Sequence, residues 1–215
     1  MPTSYDCSEP DARTEGLTAA ARAVRSGQLV VLPTDTVYGL GCDAFSGNAV
    51  RSLLRAKKRG PDMPVPVLVG SWSTIDGLVL GVPSAARQLV EAFWPGGLSL
   101  VLPHAPSLAW DLGDTKGTVM LRMPLHPVAL ELLRDVGPMA VSSANISGSP
   151  PPATASGALR QLGSSVAVYL DGGNSGEPVA STVVDLTGDD PLVLREGAVS
   201  VEQVREVLGR EVLTS

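Results

Sequence analysis

Residues 33–44, Pro33-Thr34-Asp35-Thr36-Val37-Tyr38-Gly39-Leu40-Gly41-Cys42-Asp43-Ala44 (PTDTVYGLGCDA), follow the apolar run Leu29 to Leu32. The run has the character of a buried strand. The block behind it gathers hydroxyls, carboxylates, an aromatic ring and two glycines. A strand end that turns polar and glycine-rich is where α/β proteins place ligand contacts. Thr34, Asp35 and Thr36 offer side-chain oxygens, and Gly39 and Gly41 allow a close backbone approach or a sharp turn. The competing reading is a strand closed by a tight glycine turn with no ligand.

Outward from this block, short apolar runs alternate with helical periodicity. The spacing predicts strands over 28–32, 65–69, 98–102, 118–122, 138–142, 166–170, 181–186 and 191–195. It predicts helices over 16–26, 47–57, 72–79, 84–93, 127–135, 154–162 and 200–208. Pro127 suits a first helical turn. Ser200 with Gln203 forms a capping-box pattern that Gly209 closes, and Gly60-Pro61 is placed to stop the basic helix. Several strands follow one another without an intervening helix. The expected class is therefore single-domain α/β with a mixed sheet and flanking helices.

The chain has 215 residues, 44% of them hydrophobic, enough for a real core. No apolar run approaches the roughly 18 residues that span a bilayer, and the polar N-terminal stretch does not read as a signal peptide. Cys7 and Cys42 sit in no CxxC pattern, which fits a reduced, cytoplasmic compartment. The net charge of −6 argues against a surface devoted to nucleic acid. Yet residues 34–64 carry five bases (Arg51, Arg55, Lys57, Lys58, Arg59) against three acids, a local +2 that leaves −8 elsewhere. Such an island points to an anionic ligand of limited size, or, in the plainer reading, to a solvated helix face.

Familiar signatures are missing: no GxxxxGK[ST], no complete dinucleotide fingerprint at Gly39-Leu40-Gly41, no GxSxG elbow near His104 or His126. Three constellations remain. Val50, Leu53, Leu54 and Lys57 recur at helical spacing, so Lys57 shares an apolar stripe and calls for an anion, unless the helix frays and its ammonium snorkels to water. Ser143 and Asn145 end a strand and would face one way if the extended conformation persists; the alternative is a strand-closing turn. Arg122 emerges from the apolar run TVMLR, and a buried arginine normally has a carboxylate or phosphate partner.

With PTDTVYGLGCDA, Lys57-x-Arg59, WPGGLSLVL (94–102), TVMLRMP (118–124), SSANISG (142–148), STVVD (181–185) and LREG (194–197) in that order, the chain resembles the YrdC-like threonylcarbamoyl-AMP synthase family, short single-domain type. The resemblance covers residues 16–208, leaving 1–15 and 209–215 as expected tails. It implies a twisted mixed α/β sheet with a large basic concave cavity. It also implies synthesis of L-threonylcarbamoyladenylate and pyrophosphate from L-threonine, bicarbonate and ATP. A separate transferase then passes the threonylcarbamoyl group to a tRNA adenosine. By the same matching, Lys57, Arg59, Ser143 and Asn145 are the functional set. Thr34, Arg122, Ser143 and Ser181 contact threonine, while Lys57, Arg59, Thr118, Asn145 and Arg195 contact ATP.

Chemically, Arg122 suits a carboxylate. Lys57 and Arg59, with Mg²⁺ accompanying ATP, suit the charge of a departing pyrophosphate. No metal ligands and no general base stand out. Many relatives carry a histidine where this chain has Leu68, which bears on threonine selectivity. Two rival classes are a carbamoyl-adenylate enzyme of another pathway and an RNA-binding module without turnover. Weak RNA binding is also compatible with the synthase.

Overall fold

The computed structural model describes residues 1–176 and 179–215. In chain order, β1 (Thr3–Asp6) leads into α1 (Pro10–Arg25), β2 (Val30–Leu32), β3 (Gly39–Asp43), α2 (Gly47–Ala56) and β4 (Val67–Leu68). A 3₁₀ turn at Trp72–Thr74 runs into α3 (Ile75–Leu78) and α4 (Ser84–Phe93), then β5 (Leu98–Pro103) and β6 (Thr118–Arg122). The rest comprises α5 (Pro127–Val136), β7 (Met139–Ser143), α6 (Ala155–Leu162), β8 (Val168–Asp171), β9 (Thr182–Asp185), β10 (Leu192–Arg195), α7 (Val201–Leu208) and β11 (Leu213–Thr214). Among the described residues these strands form one sheet, ordered β1-β8-β2-β3-β7-β4-β6-β5-β9-β10-β11. It is mixed, as expected: β2, β3, β7 and β4 run antiparallel to their successive neighbours, while β8 with β2, β4 with β6 and β5 with β9 are parallel.

Period-two alternation divides the sheet into two faces. Val31, Leu40, Val67, Leu100 and Leu121 pack under α2, α4, α6 and α7, contributing to the larger core. Val30, Leu32, Met139 and Leu170 face the other way, against Val24 of α1 and Val128 and Leu132 of α5. The expected helix signals hold. Pro127 opens α5, the Ser200–Gln203 capping box is formed in full, and Gly209 takes the left-handed conformation with φ 61°.

Four readings are corrected or decided. Of the two offered for Gly39 and Gly41 the sharp turn is wrong: both belong to a strand, and neither has a positive φ. They are glycines because β3 lies against bulky neighbours: a Cβ on Gly39 would sit 2.6 Å from Val141 Cγ1, and one on Gly41 2.8 Å from Met139 Cε. The presumed N-terminal tail is ordered, with β1 pairing parallel to β8 and α1 starting at Pro10. Gly16, which marked the domain's start in the sequence, is a close-packing site where a Cβ would come within 2.7 Å of Tyr5 Cβ. At the other end β11 pairs with β10. These edge strands are joined through their backbones while their side chains are mostly exposed, so no apolar alternation advertised them. Finally α2 ends at Ala56, before Gly60-Pro61, because Lys57 caps it and Lys58 turns left-handed at φ 53°.

Replacing Gly39 with Ala is expected to cost about 1–3 kcal/mol of folding stability through overpacking. The urea midpoint measures the loss, and adding Val141→Ala should recover part of it.

Candidate active site

The α1/α5 face is left open over the central strands, and there the sheet floors a cavity of about 360 Å³. Alternate residues reach it: Gly39 from β3, Leu68 from β4, Ser99 from β5, Met120 and Arg122 from β6, Val141 and Ser143 from β7. Loop residues Thr34, Thr36, Arg59, Pro151 and Ser181, with Arg195 at the end of β10, complete the wall. Three guanidiniums, of Arg59, Arg122 and Arg195, therefore share the lining, and among the described residues no carboxylate or imidazole belongs to it. The size lies in the range of small-molecule sites, and the charge selects anions.

Arg122 is buried and held at three points. Its Nε donates to Gly96 O at 2.9 Å, Nη1 to Thr36 Oγ1 at 2.8 Å and Nη2 to Asp35 Oδ1 at 2.7 Å. The sequence called for a carboxylate or phosphate partner here; Asp35, otherwise without a role, supplies a carboxylate. Burial lowers the Arg122 pKa, and the Asp35 charge opposes that shift. Arg195 donates from Nε and Nη2 to Ser181 O at 3.1 and 2.8 Å. The Ser181 hydroxyl lies 2.9 Å from that of Ser99, a buried residue that sequence reasoning overlooked. Ser99 was nonetheless visible as the one hydroxyl interrupting the apolar run Leu98 to Leu102, on alternation opposite to the leucines.

Arg59 is the least tethered of the three. It reaches Pro64 O at 3.3 Å and Ser142 Oγ at 3.4 Å, and its buried Nε has no partner. Burial lowers its pKa, against the pull of Asp62. A loosely bonded guanidinium with an unspent donor is suited to a ligand anion.

Lys57 keeps its place on the apolar stripe and is 2% exposed, but it does not line the cavity. Its ammonium donates to the carbonyls of Ser143 and of Asn145, the latter at 2.7 Å, so main-chain dipoles take the place of the expected anion. Ser147 N in turn donates to Lys57 O at 2.9 Å. Asn145 is likewise turned into the structure, its Nδ2 bonding Ser149 O at 2.7 Å and Ile146 O at 3.0 Å. The extended conformation does not persist past Ser143, so of the Ser143–Asn145 pair only Ser143 reaches the cavity. Thr34 borders the cavity with its hydroxyl committed inside the loop, donating to Val37 O at 2.6 Å. Thr118 lies apart, in a smaller, mostly apolar cavity of about 160 Å³ that shares Pro64 and Met120 with the main one.

A model of the Sua5/YciO/YrdC domain, described as telomere recombination, matches residues 22–197. A Mycobacterium tuberculosis protein provisionally named threonylcarbamoyl-AMP synthase is 64% identical over 209 residues, covering 97% of this chain and 96% of its own length. The threonylcarbamoyl-AMP synthase of Bacillus subtilis is 41% identical, over 88% of this chain and 56% of its own. The crystal structure of Pyrococcus abyssi Sua5 complexed with L-threonine superposes with a TM-score of 0.91 at 35% identity. It covers all of this chain, which spans 62% of that protein.

Burial, with Arg59 alongside, pushes the Lys57 ammonium down from 10.5 to about 8. The unfolded chain then holds this proton between pH 8 and 10.5 while the folded chain releases it. Stability contributed by Lys57 should rise with pH across that window and be at its lowest below 8. Urea unfolding of wild type and Lys57→Met from pH 7 to 10 reads this directly: the gap should move in favour of the wild type as pH increases.

Proposed function

The chain belongs to the Sua5/YciO/YrdC family, and from that membership we propose that it is an L-threonylcarbamoyladenylate synthase, a nucleotidyltransferase working for threonylcarbamoyl modification of tRNA. The observation that carries the reading is the cavity itself: three guanidiniums and several hydroxyls around a small-molecule volume, with no acidic side chain in the wall among the described residues. Such a lining suits a site that must take an amino-acid carboxylate, bicarbonate and a triphosphate together.

In this reading Arg122 takes the threonine carboxylate, the geometry in which a guanidinium discriminates best. Ser143 and the Ser99–Ser181 pair offer hydroxyls beside it, and Thr34 and Leu68 supply wall. The threonine amine attacks the carbon of bicarbonate, and loss of water leaves the carbamate. A carbamate oxygen then attacks the α-phosphorus of ATP, the bond to the bridging oxygen breaks, and pyrophosphate departs with the electron pair. Arg59 and Arg195 neutralise charge on the phosphates, which is the principal demand of such a transfer. Among the described residues the lining presents no carboxylate or imidazole, and in this reading bicarbonate or water accepts the ammonium proton. Thr118 and the smaller apolar cavity are placed to receive the flat purine ring.

Lys57 and Asn145 serve this chemistry from behind the wall. They set the loop after β7 and with it Ser143, whose carbonyl the ammonium grips. Among the described residues no cluster of three or more His, Cys, Asp or Glu could hold a metal. Mg²⁺ therefore enters as part of the nucleotide substrate, on its phosphates. No described helix is long and apolar enough to cross a membrane, and we place the enzyme in the cytoplasm. There a separate tRNA threonylcarbamoyl transferase consumes its product, and weak RNA binding at the basic cavity is compatible with that role.

Purified protein given ATP, Mg²⁺ and bicarbonate should release pyrophosphate only when L-threonine is added, and Arg59→Ala should lower turnover at least about tenfold. Release independent of threonine would overturn the reading.

A further inference from the structure

We propose that Asp35, with Thr36 beside it, is a positioning residue that sets the orientation of Arg122, and so determines affinity for the substrate carboxylate without itself lining the cavity. The inference rests on the reading that Arg122 receives the threonine carboxylate.

A guanidinium has five N–H donors. Three are spent, on Gly96 O, Thr36 Oγ1 and Asp35 Oδ1. One N–H on each terminal nitrogen is left, on a side chain that lines the cavity. The three anchors come from two separate loops, so the plane of the group is over-determined. Asp35 is itself fixed from a third direction: the same Oδ1 accepts the Leu125 backbone N–H at 2.8 Å. Thr36 is buried, and its hydroxyl also lies 3.2 Å from that of Thr34. Asp35 and Arg122 form the one ion pair among the described residues in which both side chains are largely buried, 17% and 9% exposed. Every other pair has at least one half-exposed partner, the situation in which a bridge contributes little. Asp35 does not line the cavity, so it leaves room for a second carboxylate on the free donors.

A buried arginine without this tether would reorient toward any acceptor, and the incoming carboxylate would then have to order it. The cost falls on amino-acid binding and not on the nucleotide, whose contacts in the reading above are Arg59 and Arg195. Asp35→Ala should therefore raise KM for L-threonine at least about tenfold, with KM for ATP changed less than about twofold. Asp35→Asn, which keeps an acceptor oxygen, should be milder. Thr36→Val, nearly isosteric, should reproduce the same split and guards against Asp35→Ala failing to fold. In an Arg122→Lys background, Asp35→Ala should add less than about twofold, because the group it orients is gone. L-Threoninol, which lacks the carboxylate, should compete equally weakly against wild type and Asp35→Ala.

If Asp35→Ala and Thr36→Val fold with threonine KM within about threefold of wild type, or if Asp35→Asn tightens threonine, the positioning role is wrong. Equal losses for threonine and ATP, or full additivity with Arg122→Lys, would mark the network as scaffold only and also overturn it. If the wild type itself shows no threonine dependence, the synthase reading fails first, and this inference with it.

Discussion

The site depends on what a buried ammonium requires. Lys57 lies at the end of α2, stripped of water, and an amine in that position must find acceptors or give up its charge. It finds the carbonyls of Ser143 and Asn145, at the point where β7 stops being a strand. The return bond from Ser147 N to Lys57 O closes the contact from the other side. One side chain thus joins a helix end to a strand end distant in sequence. The backbone leaves α2 through the left-handed Lys58 and carries Arg59 to the cavity wall beside Ser142. Removing the ammonium would take this donor from both carbonyls, leaving Ser143 O with the Asn145 backbone N–H at 2.9 Å.

The same economy governs the cavity. Its three guanidiniums are held chiefly by neutral oxygens: backbone carbonyls of Gly96, Pro64 and Ser181, and hydroxyls of Thr36 and Ser142. Neutral acceptors fix a cation in place without cancelling its charge, so the field inside the cavity stays positive for an anionic ligand. Arg122, the most deeply placed, is the exception that carries a carboxylate partner, since burial without one would be the most costly there. Among the described residues neither Arg59 nor Arg195 has a carboxylate within ion-pair distance.

Local chemistry made much of the fold legible. The helices α4, α5, α6 and α7 announce themselves by apolar periodicity and by Pro127 and the Ser200–Gln203 box. β5, β6 and β7 read as apolar runs because their residues on the larger core's face are leucine, valine and alanine, and Met120 and Val141 on the cavity face are apolar too. β3 did not, since on one face it has glycines where a strand would show side chains, and the reason lies in Val141 and Met139 far along the chain. β1 and β11 did not, because an edge strand can be held by its backbone alone.

For the site, the sequence by itself named the candidates: the hydroxyl–carboxylate block at Thr34–Thr36, the Lys57-x-Arg59 pair, Ser143, Asn145, Arg122, Ser181 and Arg195. Their types and order were sufficient to place the chain in its family. Only the tertiary structure decided how they divide between the cavity and its support. Arg59, Arg122, Arg195, Ser143 and Ser181 face the cavity, while Lys57 and Asn145 turn inward and Thr118 opens on a neighbouring space. Asp35, unassigned in one dimension, proved to be the partner of Arg122. The physical reason is that a side chain's role depends on which acceptors and which solvent it meets, and these come from segments 86 to 88 residues away for Lys57 and 86 to 87 for Arg122.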